Sequence, residues 1–324
     1  MDRPSGQIVA PSSPGRLHPL VEPFARRMIA VGDGHELYVE SCGNPQGRPV
    51  IVLHGGPGGG CSPLMRRFFD PDHWHVVLFD QRGCGRSRPH AEVTANTTAH
   101  LIADINRIMD ELGLGPAALF GGSWGAALAL AFAQAAPDRV SALVLRGVFL
   151  GRQEELDWFY GGGAGRFWPE LWARFREAIP EDERGDLIAA YNRRLFSGDR
   201  ATETRFAIPW LAWENALAGL DNPTTCSAPP DYARAFARLE NHYFAHGCFL
   251  DEGQLLAGRD RIEHLPAVIV QGRYDMVCPP KAAHELAKGW PRCDLRMVPA
   301  SGHALNEPRI MAELVRVVDQ MASS

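Results

Sequence analysis

The 324-residue sequence predicts an α/β protein in which a mostly parallel sheet flanked by helices is interrupted by a helical insertion. Three observations carry the prediction. Short apolar runs of strand length alternate with helical segments between residues 49 and 145, the order that parallel crossovers require. Three glycine-rich stretches, HGGPGGG, DQRGCGRS and GGSWG, each follow directly on one of those runs, where open α/β sheets put their ligand sites. The strand pattern then lapses after Phe149 and resumes at Ala267.

Taken in order, residues 1–23 are rich in Pro, Ser and Gly and are expected to form a mobile arm. Ordered structure is expected from Phe24, where RMIAVGDGHELYVESCG reads as a hairpin turning at Gly32, Asp33 and Gly34. Pro49 to Leu53 and His75 to Phe79 read as buried strands. Thr98 to Leu112 carries Leu101, Ile105, Ile108 and Leu112 on one helical stripe, stopped by Gly113 and Gly115. A strand from Ala117 to Phe120 leads through GGSWG into an alanine-rich helix from about Ala126 to Ala136, and Ala142 to Leu145 is a further strand. Residues 150–255, with helical and loop signals and many tryptophans and prolines, are expected to be a helical cap inserted between the two parts of the core, 24–149 and 256–324. In the second part, Ala267 to Gln271 and Leu295 to Val298 read as strands, and Ile310 to Met321 as a final amphipathic helix.

Composition narrows the function. With 45% hydrophobic and 22% charged residues the chain has ordinary globular material for a core. A formal net charge of −5 offers no basic surplus for nucleic acid or an anionic membrane. The start of the chain has no apolar stretch like that of a secretory signal, and no later segment reads as a membrane span, so the expected location is the cytoplasm. Cys42, Cys61, Cys84, Cys226, Cys248, Cys278 and Cys293 show neither paired spacing nor an even count, which fits free thiols. No metal or organic cofactor is implied by any motif.

The chemistry is concentrated in Gly121-Gly122-Ser123-Trp124-Gly125, a GxSxG sequence between an apolar strand and a helix. That context is a nucleophile elbow and points to the α/β-hydrolase fold. An alcohol needs a base, and the base an orienting carboxylate. Asp275, just past AVIVQ, and His303, just past LRMVP, supply both in the chain order this fold uses. Asp260 is a poorer choice for the acid because it precedes the strand. The oxyanion donors are assigned to the amides of Trp124 and of Gly56 in the HGGPGGG loop, with Gly55 as the nearest rival. That loop lacks the GxxxxGK[ST] and GxGxxG spacings of phosphate cradles.

From Phe24 to the C-terminus the sequence resembles the prolyl aminopeptidases, also called proline iminopeptidases. The resemblance rests on HGGPGGG, DQRGCGRS, GGSWGAALALAFA, LVLRGVFL, WFYGGGAGRFWP, PWLAWE, LENHYF, GRYDMVCPP and SGHALNEP, all in family order. It implies release of an N-terminal proline from peptide substrates. Glu214 in PWLAWE and Glu240 in LENHYF match the family's amine-recognition residues; attraction to a cationic N-terminus gives them a physical reason. Phe149, Trp158 and Tyr160 are candidates for the lining of a compact apolar proline pocket. Arg146 matches the arginine of LRGxF and is expected to organise the acidic subsite through a salt bridge. Cys278 lies near Asp275 and is given no catalytic role. The rival readings are an α/β-hydrolase esterase or amidase of other specificity, since the triad does not set the substrate, and a ligand receptor on a hydrolase scaffold. Nothing in the sequence indicates the oligomeric state.

Overall fold

The computed structural model describes residues 6–8, 16–220 and 228–323. Strands β1 (Gly6–Ile8), β2 (Ala25–Gly32), β3 (His35–Gly43), β4 (Arg48–Leu53), β5 (Trp74–Phe79), β6 (Ala117–Ser123), β7 (Val140–Val148), β8 (Ala267–Gly272) and β9 (Cys293–Val298) make one sheet. Their order is β1, β9, β8, β7, β6, β4, β5, β3, β2. The pairs of β3 with β2 and β5 are antiparallel and the others parallel. The helices are α1 (Pro63–Arg66), α2 (Thr98–Glu111), α3 (Trp124–Ala135), α4 (Gln153–Tyr160), α5 (Pro169–Glu177), α6 (Leu187–Leu195), α7 (Arg200–Ala218), α8 (Pro230–Ala245), α9 (Gln254–Ala257), α10 (Pro280–Ala287) and α11 (Pro308–Ala322).

The apolar runs of β4 to β9 are near-continuous because both faces of the sheet are covered. Ile51, Leu53, Val77, Phe79, Leu119, Leu143 and Ile269 face α2, α3 and α10. Val50, Val52, Val76, Leu78, Phe120, Val144 and Val270 face Ile310, Leu314 and Val317 of α11 together with Phe68 and Phe69. Alternation along each strand therefore assigns each residue to one of two cores. The hairpin turns where expected, with Asp33 and Gly34 both at positive φ.

Two boundaries differ from the sequence reading. β6 and β7 run on to Ser123 and Val148, although Gly122, Arg146 and Gly147 do not look like strand residues, because their backbones pair Gly122 with Arg146 and Ser123 with Val148. Nor do residues 1–23 as a whole form the expected mobile arm. Residues 1–5 and 9–15 of it lie outside the described residues, but Gly6–Ile8 pairs with Leu295–Met297, and His18 is held at Arg67 and Asp319. Leu17 and Val21 pack on the core beneath them. Cys226 likewise lies outside the described residues.

The insertion is helical from α4 to α8, and its own core is aromatic: Phe175, Tyr191, Trp210 and Trp213 stack or meet edge to face within 6 Å. Asp199 caps α7 through the amides of Ala201 and Thr202. Buried Glu203 then ties α7 to Arg234 and Arg238 of α8 at 2.6 and 2.8 Å. Tyr243 and His242 of α8 reach Asn96, ahead of α2, at 2.8 and 2.9 Å. The short α9, which the expected boundary at 256 would divide, sits on α3 through Gln134 and the Leu255 carbonyl.

Below the site, the loop after β5 is fixed by a buried charge pair. Arg82 makes two 2.8 Å bonds to Asp104 of α2 and also donates to the carbonyls of Ala95 and Val31. Burial outweighs the arginine and leaves the Asp104 carboxyl above its usual range. Arg82→Met should cost about 3–5 kcal/mol in urea denaturation by stranding that carboxylate, and adding Asp104→Leu should recover part of the loss.

Candidate active site

The sequence places Ser123 where a strand must become a helix within one residue. The backbone takes φ 59° and ψ −125° there, a conformation that costs a non-glycine residue about 1–3 kcal/mol and lifts the side chain out of both elements. The helix can start so soon because its neighbours lack side chains. A Cβ on Gly121 would lie 2.2 Å from the Gly125 carbonyl oxygen, and one on Gly125 would lie 2.1 Å from that of Leu53.

The turn after β8 and the loop after β9 bring Asp275 and His303 together, with Nδ1 of the histidine 2.8 Å from Oδ2 of the aspartate. The second carboxylate oxygen accepts from the amides of Val277 and Cys278 at 3.1 and 2.7 Å. Both side chains are almost wholly buried. Burial lowers the His303 pKa against the pull of Asp275, so the imidazole is neutral and basic at neutral pH. The ring rests on Gly147, where a Cβ would come within 2.8 Å of it. Asp260, by contrast, is exposed and precedes β8.

The HGGPGGG loop passes over the serine at Gly55: a Cβ there would stand 3.3 Å from Ser123 Cβ and 4.0 Å from its Oγ. Gly56, the assigned donor, is the next residue and has φ +109°. Trp124 opens α3, and its indole nitrogen donates to Gln81 at 3.0 Å. Gln81 in turn binds both the carbonyl and Nε2 of His54. Asp80 joins the same two loops by accepting from the Cys61 amide at 2.7 Å and from Arg86 at 2.7 Å. HGGPGGG and DQRGCGRS thus converge because each ends a neighbouring parallel strand.

Glu214 on α7 and Glu240 on α8 hydrogen-bond to each other. Glu240, only 1% exposed, accepts on Oε2 from Trp210 at 2.6 Å and from Tyr160 at 3.1 Å. Among the described residues neither glutamate has a salt bridge, and Glu214 Oε2 is buried without a partner. Burial pushes Glu240 up to about 7 and Glu214 well above the usual carboxylate range, with the charge of Glu240 adding to the latter. The helix that carries Glu240, α8, also packs on the elbow and on the glycine-rich loop. Three residues beyond Glu240, Tyr243 packs on Trp124 with ring centres 4.7 Å apart, and Gly58 of the glycine-rich loop fits closely against Phe236 and Leu239.

Arg146 corrects the sequence reading. It makes no salt bridge with Glu214 or Glu240; it lies under Gly122 and donates to the His303 carbonyl oxygen, with Asp275 as its favourable charge neighbour. Its position on β7, one residue before the glycine under His303, takes it to the base rather than to the acidic pair. Tyr160 stacks on Trp210 at 4.4 Å as well as binding Glu240, and Phe149 meets Phe244 edge to face. Trp158 donates to the Met276 carbonyl at 2.8 Å. Cys278 is in side-chain contact with Ser123, and burial keeps its thiol protonated, well above the usual range. Sequence reasoning missed Gln81, Trp210 as a donor, and Gln271, which reaches Asp275 from β8. Nothing in an isolated glutamine or tryptophan signals such a bond.

The family profile of the α/β hydrolase fold matches residues 48–309. A proline iminopeptidase of Xylella fastidiosa (strain Temecula1) is 51% identical over 94% of this chain and 98% of its own length. One from Arabidopsis thaliana is 47% identical over 94% of this chain and 82% of its own. Among solved structures, an esterase from Exiguobacterium antarcticum superposes with a TM-score of 0.59 at 20% identity, covering 92% of this chain and 98% of that one, which is a likeness of fold.

The acidic pair has a consequence for stability. Folded Glu240 keeps its proton up to about pH 7, whereas an unfolded glutamate releases it near 4.3. The native state therefore binds more protons in that interval, and stability should fall as pH rises from about 4.5 through 7, with Glu214, also held well above the usual range, adding to the fall. Melting temperatures at pH 5 and pH 8 should show this fall, and Glu240→Gln should make it smaller, leaving the share that burial of Glu214 supplies.

Proposed function

The chain belongs to the proline iminopeptidases of the α/β-hydrolase fold, and we propose that it releases N-terminal proline from peptides with Ser123 as nucleophile, His303 as base and Asp275 as its orienting acid. The observation that carries the specificity is the buried Glu214–Glu240 pair, which has two carboxyls and, among the described residues, no basic partner. A free imino terminus is a cation able to fill that vacancy in charge. An N-blocked peptide is not.

In this reading the cation settles against Glu214 and Glu240, which presents the prolyl carbonyl to Ser123. His303 takes the serine proton as Oγ bonds to the carbonyl carbon, and Asp275 stabilises the imidazolium through the 2.8 Å bond to Nδ1. The oxyanion forms between the Trp124 amide at the start of α3 and an amide of the glycine-rich loop. Gly56 is retained as the donor, and the contact of Gly55 with Ser123 makes that residue the alternative. His303 then hands its proton to the departing amine nitrogen as the C–N bond breaks. Water, deprotonated by His303, attacks the prolyl ester; the C–Oγ bond then breaks as His303 returns the proton to Oγ, which releases proline and restores Ser123. Phe149, Tyr160 and Trp158 supply apolar surface for the pyrrolidine ring, with Tyr160 also holding Glu240. Arg146 acts on the base, holding the His303 backbone. Its bond to that carbonyl supports this role over the acidic subsite. No described helix is long and apolar enough to cross a membrane. The cytoplasmic location remains part of the proposal.

The test compares proline-β-naphthylamide, its N-acetylated form and a p-nitrophenyl ester. The free-amine compound should be the preferred substrate, and Glu240→Gln should raise its KM at least tenfold while leaving ester hydrolysis nearly unchanged. Ser123→Ala should abolish all three activities in a folded protein. Equal cleavage of the acetylated compound would sink the acidic subsite and leave the triad standing.

A further inference from the structure

Gln271, the penultimate residue of β8, is fully buried and has every polar atom of its side chain engaged. Its Oε1 accepts from the Val148 amide at 3.1 Å. Its Nε2 donates to the Cys278 carbonyl at 2.9 Å and to Asp275 Oδ2 at 3.2 Å. The orientation of the amide is determined by its neighbours, because Val148 N–H can only donate and the Cys278 carbonyl can only accept. One side chain therefore joins the end of β7, whose Val148 pairs with Ser123, to the loop that carries the acid. The oxygen it reaches on Asp275 is the one that also receives His303 Nδ1.

We propose that Gln271 is a positioning residue that aims the Asp275 carboxylate at His303 and draws charge from the oxygen the imidazole uses. With Val277, Cys278, Gln271 and His303 all donating to it, Asp275 has no free rotation and a single orientation toward the base. Without Gln271, Oδ2 would carry more charge toward the imidazole and could swing away from it. The first effect makes His303 more basic; the second lowers turnover. The other charged or titratable groups around the pair are Arg146 from β7, Cys278 from the acid loop and Glu307 from the residue before α11. None of them bonds to Oδ2.

The inference rests on the triad assigned above, and the experiment separates the two. In Gln271→Met, which keeps the size and loses both polar ends, the acid limb of kcat/KM against pH should move up by about half a unit. Its kcat should fall about tenfold with KM within about twofold, because alignment rather than binding is lost. Should that variant not fold, Gln271→Glu keeps the shape and the acceptor for Val148 but removes the donor. Its kcat should fall at least as far at pH 8. An NMR titration of the His303 imidazole in each folded variant reads the basicity without turnover. Unchanged kcat and an unmoved acid limb, with only the melting temperature lowered, would overturn the role of Gln271. Full activity in His303→Ala would instead overturn the triad.

Discussion

Gly125 has no room for a side chain, because a methyl group there would press into the backbone carbonyl of Leu53. Much of the molecule follows from that contact. It lets α3 pack against the end of β4 as well as that of β6, which draws the loop after β4 over the serine. Gly121 allows the same closeness within the elbow itself, and Ser123 takes up the backbone strain. A strained residue persists only where its surroundings leave it no alternative. Here the surroundings are two buried cores, one on each face of the sheet, and a helix that is apolar on every side.

The elbow also governs the insertion. Trp124 follows the serine, so its ring is fixed by the start of α3 and by the bond to Gln81. Tyr243 packs on that ring and brings α8 with it. Glu203 and its two arginines then set α7 beside α8, which sets Glu214 beside Glu240. The relation between nucleophile and acidic pair thus depends on a short series of buried polar bonds, with the apolar packing of the insertion filling in behind. Removing one partner from such bonds costs more than the bond itself is worth, since the other is left buried and alone.

The sequence was most legible where local chemistry and chain order coincide. GGSWG lay between strand and helix signals, and Asp275 and His303 stood just beyond strand ends, so the triad could be named from periodicity and order. Glu214 and Glu240 could be named only through resemblance, because their meeting depends on how two helices pack, and no spacing in the chain encodes that. Arg146 shows the limit of this route. Its motif was recognised, yet its guanidinium points to the His303 carbonyl, a consequence of the pairing of β7 with β6 that the polar residues at the end of β7 conceal. Gln271 looked like the last residue of an ordinary strand. The beginning of the chain was misread for another reason: its composition suits an extended segment, but an edge strand was available at β9 and needs only backbone bonds.

The shared hydrogen bond between Glu214 and Glu240 gives recognition a further character. Two carboxyls can bond in this way only while one of them is protonated, so on the proposed reading the empty subsite already holds a positive charge in its smallest form. An arriving imino terminus would then take the place of that proton, and binding would be an exchange of one cation for another. A neutral ligand of the same shape has nothing to exchange and would leave the pair closed on itself. Discrimination of this kind requires no clash and no narrow gate. On the same reading it would join the proposed preference for free termini to the acidity of the surroundings, because protons and substrates would compete for the same two carboxyls.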